Sequence, residues 1–80
     1  MEWPEEIKRK IREVIAGPTE FAFSVVVDGV YYDAYYFEYN GKPGTFAFCK
    51  KDDQWVLAMF TAGYLEMDQV IRQVYEWREE

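Results

Sequence analysis

The stretch Phe23-Ser24-Val25-Val26-Val27-Asp28-Gly29-Val30-Tyr31-Tyr32-Asp33-Ala34 reads as two β-strands folded back on one another. Val, Phe and Tyr suit a pleated, half-buried surface. Asp-Gly between two such runs favours a type I′ turn, because both central residues need positive φ. A two-residue turn there sets Val27 opposite Val30, Val25 opposite Tyr32 and Phe23 opposite Ala34. The rest of the chain is placed outward from this hairpin.

Toward the C-terminus, Asn40-Gly41-Lys42-Pro43-Gly44 is a second turn region and Asp52-Asp53 a third. Strands are therefore expected over 19–28, 30–39, 45–51 and 54–62, paired as an antiparallel meander. Toward the N-terminus, residues 4–16 read as a helix. Pro4 suits the first helical position, and Glu5 and Glu6 complement the positive dipole end. Ile7, Ile11, Val14 and Ile15 share one face. Gly17-Pro18 closes the helix, with Gly17 as a C′ glycine. A last helix spans roughly 64–78, with Met67, Val70, Ile71 and Val74 as its apolar positions. The expectation is one α+β domain over residues 1–80: helix, four-stranded antiparallel meander, helix (αββββα), with both helices packed on one face of the sheet.

Side chains alternate along a strand, so turn lengths decide which residues share a face. A two-residue Asn40-Gly41 turn sets Ala34 opposite Ala47, and one at Asp52-Asp53 sets Ala47 opposite Ala58. One face then carries Phe21, Phe23, Val25, Val27, Val30, Tyr32, Ala34, Tyr36, Ala47, Cys49, Val56, Ala58 and Phe60. Its band of small residues would let a helix approach closely, which marks it as the core face. The other face carries Tyr31, Tyr35, Phe37, Tyr39, Phe46, Phe48, Trp55, Leu57 and Met59, with Val26 and the polar Ser24, Asp33, Lys50 and Thr61. A solvated sheet face is normally polar. This one is aromatic, so those nine residues form the candidate binding surface. Two other arrangements stay open. A three-residue loop within 40–44 would flip strands three and four, and the helices could cover one face each.

Composition supports a dense domain. Half of the 80 residues are hydrophobic, and 20% are aromatic. That density matters because so short a chain has little core. One cysteine allows no internal disulfide, and the lack of histidine argues against a zinc site. The net charge of −6 disfavours nucleic acid and anionic membranes as partners. No apolar run reaches the ~18 residues of a spanning helix. The start Met-Glu-Trp-Pro-Glu-Glu lacks signal-peptide character. A cytoplasmic location is the expectation.

Catalytic chemistry finds no footing. Without histidine there is no Ser-His-Asp or Cys-His pair. Cys49 lies beside Lys50, which would favour a thiolate, but alternation sends Lys50 to the opposite face. Asp33 and Glu38 differ in parity and form no carboxylate pair. Asp52 and Asp53 are explained by turn chemistry. Gly41-Lys42-Pro43-Gly44 is too short for a phosphate loop. No cofactor, metal or catalytic residue is expected.

The opening Pro-Glu-Glu-Ile-Lys-Arg-Lys-Ile-Arg-Glu-Val-Ile, closed by Gly17-Pro18, resembles the helices of computationally designed α/β miniproteins. The Asp28-Gly29 and Asn40-Gly41 turns, the lack of histidine and the ending Trp77-Arg78-Glu79-Glu80 are similar in style. The free cysteine, the irregular 55–67 stretch and the aromatic outer face depart from that style. The resemblance implies a designed binder or a fold-design exercise, and the expectation taken with the aromatic face is a non-enzymatic binding module. It would use the aromatic face for protein–protein contact or as a homodimer. The alternatives are a small-molecule-binding cystatin-like roll and a small acidic inhibitor of a nucleic-acid enzyme.

Overall fold

A computed structural model describes residues 4–78. The start of the chain at residues 1–3 and its charged ending at 79–80 lie outside the described residues. The element order is α1 (Glu5–Ala16), β1 (Thr19–Val27), β2 (Val30–Tyr39), β3 (Lys42–Lys51), β4 (Gln54–Ala62) and α2 (Met67–Arg78). The strands form one open antiparallel sheet in the order β1-β2-β3-β4. The αββββα order and the meander are as the sequence implies.

All three hairpin turns are two residues long. Asp28-Gly29, Asn40-Gly41 and Asp52-Asp53 each hold both central residues at positive φ, the backbone whose twist matches the flanking strands. Val27 pairs with Val30, Val25 with Tyr32 and Phe23 with Ala34. The short second turn lets β3 begin at Lys42 and places Ala34 opposite Ala47. Gly44 is therefore a buried strand residue, not part of the turn. The far end of the Phe37 ring lies against it, where any β-carbon would overlap the ring. Gly44→Ala should cost about 1–3 kcal/mol by overpacking. Urea denaturation measures it, and an unchanged midpoint would mean that the ring swings clear at no cost.

The helices lie on opposite faces, which corrects the expectation that both share one. Val70 and Val74 of α2 are buried with Val25, Val27, Tyr32, Ala34, Ala47 and Met59. Val14 of α1 is buried instead with Phe37 and Phe46, and Ile15 and Phe60 pack against that cluster. The reason is the ring cluster itself. It occupies one end of the second face, and the α1 stripe is the apolar surface able to remove it from water.

Two β-bulges move residues between faces. Ala22 is the extra residue in β1, between Phe21↔Tyr35 and Phe23↔Ala34. Ala58 is the extra residue in β4, between Leu57↔Phe48 and Met59↔Ala47. A bulge reverses alternation beyond it. Phe21 and Phe60 thus join the α1 side, while Met59 joins the α2 side and is fully buried. Ala47 faces Met59 rather than Ala58.

The helix ends also differ from expectation. Gly17 is extended (φ −84°) rather than left-handed, because Pro18 disfavours other backbone in the residue before it. Its N–H still bonds to the carbonyls of Glu13 and Val14. Helix α2 begins at Met67, not Tyr64, because the sheet captures the preceding residues. The buried Thr45 hydroxyl donates to the Gly63 carbonyl (2.7 Å) and accepts from the Leu65 N–H (3.0 Å). The Tyr36 hydroxyl donates to the Leu65 carbonyl (2.6 Å). The Gln69 side chain then accepts the Glu66 N–H, the return half of a capping box. At its far end, α2 is tied to the first hairpin. Asp28 accepts from Tyr75 (3.2 Å) and Arg78 (3.0 Å), and that bond raises the Arg78 pKa.

Candidate functional site

The sheet face beneath α1 is laid out in rows across the strands. One row runs Thr19–Phe37–Gly44–Ala62, the next Phe21–Tyr35–Phe46–Phe60, and the next Ser24–Asp33–Phe48–Leu57. Beyond these, Val26 pairs with Tyr31 and Lys50 with Trp55. Helix α1 lies over the first end. Ile7, Ile11 and Val14 stand with Phe37, Tyr39 and Phe60 around one small apolar cleft. The other end has no helix above it among the described residues.

Exposure follows that division. Tyr31 is 71% exposed, Trp55 60%, Phe21 54% and Val26 52%. Tyr35, Phe48 and Leu57 are half-buried. Phe37 and Phe46 lie in the core beneath α1, Met59 in the core beneath α2, and Tyr39 sits at the rim of the covered end. Of the nine candidate binding residues, Tyr31, Tyr35, Phe48, Trp55 and Leu57 share the open end, and the three buried ones offer no contact surface. Phe21 belongs to the open surface and was missed, because only the Ala22 bulge turns it to this side.

The open end is a ring surface with a charge in it. Phe21 meets Tyr35 edge-on at 5.5 Å between centroids. Tyr35 stacks on Phe46 at 5.4 Å, and Phe48 meets both rings at steep angles. Asp33 is half-buried, and the Ser24 hydroxyl donates to its Oδ1 at 2.7 Å. Asp33, Tyr35, Phe48 and Trp55 line a half-open cleft of 310 Å³.

A larger cavity of 460 Å³ lies on the other side of the sheet, among Tyr32, Cys49, Val56, Ala58, Trp77 and Arg78. Burial pushes the Tyr32 phenol above its ordinary pKa, the Cys49 thiol adds to this, and Arg78 opposes it. Cys49 packs against the α2-side core. Among the described residues, no group of three or more Cys, Asp and Glu side chains is placed to hold a metal ion, and no helix is long and apolar enough to cross a membrane.

Fold and site together define a small α+β domain whose sheet carries one helix on each face. Comparison with protein-family models, with curated proteins and with solved structures finds no match.

Proposed function

We propose that the chain is a non-enzymatic binding module whose open sheet end makes protein–protein contact. The observation that carries this is the exposure of Tyr31, Trp55, Phe21 and Val26 on the sheet face beyond α1, with Ser24, Asp33 and Lys50 set among them. The three rings alone present on the order of 300–450 Å² at those exposures. That is the size of the largest apolar patch on an ordinary monomer, and such patches are often functional. Tyr and Trp are the residues that most often anchor interfaces.

The same area sets a limit. A stable interface takes about 800 Å² from each partner. The ring patch is about half of that, so it serves as the centre of a contact that extends onto its polar rim. Two copies of this chain would also each bring a net charge of −6. The charge favours a different protein over a homodimer. The three tight turns with both central residues at positive φ also suit a designed backbone, and a designed origin is part of this reading.

Panning a random peptide display library against the chain tests the reading. The expected ligands lose binding to a Tyr31→Ser/Trp55→Ser double variant and keep it for Met67→Ser, a change at an exposed α2 site. The double variant should unfold within about 0.5 kcal/mol of the parent. Ligands that map elsewhere would count against the reading, as would a double variant that loses most of its stability.

A further inference from the structure

The cavity in the open sheet end joins rings to a carboxylate, and we propose that Asp33, Tyr35, Phe48 and Trp55 form a cage for an arginine side chain presented by a basic partner. This rests on the reading above and names what the partner brings.

Asp33 calls for a cationic cover. Any partner that covers this surface strips water from a carboxylate that is already half-buried. Within the described residues its hydrogen bond is the one from Ser24 (2.7 Å), and no basic side chain there forms an ion pair with it. An apolar cover would leave the charge nearly unsatisfied, which is costly. A cationic cover pairs it, and such charge-assisted bonds are the strong ones. Ser24 holds Oδ1, so Oδ2 is available to an incoming donor.

The walls around Asp33 are inclined rings. The Tyr35 and Phe48 ring planes are inclined at 67° with centroids 6.4 Å apart, and Trp55 borders the same cavity. Among the described residues no ring packs on Trp55, so its indole face is open to a ligand. Rings set at an angle around a space attract a cation through their electron-rich faces. Arginine suits this mixture better than lysine. Its plane stacks on rings, its fork reaches a carboxylate, and it gives up water more readily.

Size and charge agree with a side chain as the occupant. At 310 Å³ the cavity is at the small end of ligand sites, room for one side chain rather than a larger organic ligand. The net charge of −6 attracts a basic partner from a distance. Lys50 is the opposing group. It pairs with Trp55 in register, shares this face and is exposed, so it repels the incoming cation.

The test titrates isotope-labelled protein with the peptide Gly-Arg-Gly-Arg-Gly and with its citrulline counterpart, at physiological salt. The readouts are the Trp55 indole N–H and the Ser24, Asp33 and Phe48 amides. The arginine peptide should shift these saturably, and the neutral peptide should bind about tenfold more weakly. Asp33→Asn keeps the partner for Ser24 and should weaken the arginine peptide about tenfold with folding intact. Lys50→Gln should tighten it about two- to threefold. Equal binding of both peptides at Trp55 would overturn the cation claim and leave the binding face standing. Shifts scattered over the acidic surface would overturn the cage. Peptides and library ligands all bypassing this surface would remove both readings.

Discussion

Met59→Ala is expected to destabilise the domain by about 2–5 kcal/mol, the range for emptying a buried methionine site. Met59 is fully buried between the sheet and α2, within the cluster of Val25, Ala34, Ala47, Val70 and Val74. The small Ala34 and Ala47 side chains cannot reach into the space it would vacate. Trp55 stands four residues earlier in the same strand and is mostly exposed, so Trp55→Ser should change stability by no more than about 0.5 kcal/mol. Urea denaturation of both variants gives the comparison. Similar losses for the two variants would mean that Met59 is no better packed than the exposed Trp55 and does not fill the α2-side core.

That pair also marks where the sequence stops being legible. Turn chemistry is local, and Asp28-Gly29 and Asn40-Gly41 therefore fixed the strand pairing of β1 with β2 and of β2 with β3. Bulges carry no such signature here. Ala22 and Ala58 are ordinary strand residues by type, and what selects them is the packing they permit. With the Ala58 bulge, Met59 fills the α2-side core and Phe60 joins Phe37 and Phe46. Without it, a methionine would face the ring cluster and a phenylalanine would crowd the alanine band. Both bulges fall on the edge strands of the sheet, where an extra residue disturbs one partner only and roughens the edge against pairing with other chains.

Helix placement was illegible for a related reason. The sequence shows that each helix has an apolar stripe, but a stripe does not say which face it meets. The alanine band marks one face as close-packed, and α2 takes it. The second face has no uniform character. Its Phe37–Phe46–Phe60 end needs cover, while its Tyr31–Asp33–Trp55 end mixes rings with a charge. Helix α1 resolves this by covering the purely apolar end. The candidate surface is thus smaller than the sequence implies, and Asp33 moves from its margin to its centre.

Phe46→Ala should be the most damaging single change on this face, at about 3–5 kcal/mol. Domains of this length carry roughly 4–12 kcal/mol in total, so the variant would lose much of its folded population on warming. Phe46 is 2% exposed and touches every ring around it: Tyr35 at 5.4 Å, Phe37 at 5.8 Å, Phe48 at 5.3 Å and Phe60 at 6.4 Å. Its ring is the shared wall between the α1-covered core and the open end. Removing it takes support from Tyr35 and Phe48 together, the two inclined walls of the proposed cage. Thermal and urea unfolding followed by circular dichroism measure the first effect. Phe46→Leu separates the second, because leucine keeps most of the apolar volume but not the flat surface on which Tyr35 stacks. That variant should stay folded under the titration conditions and bind the arginine peptide more weakly than the parent. Parent-like binding by folded Phe46→Leu would mean that Tyr35 and Phe48 hold their positions without the ring beneath them.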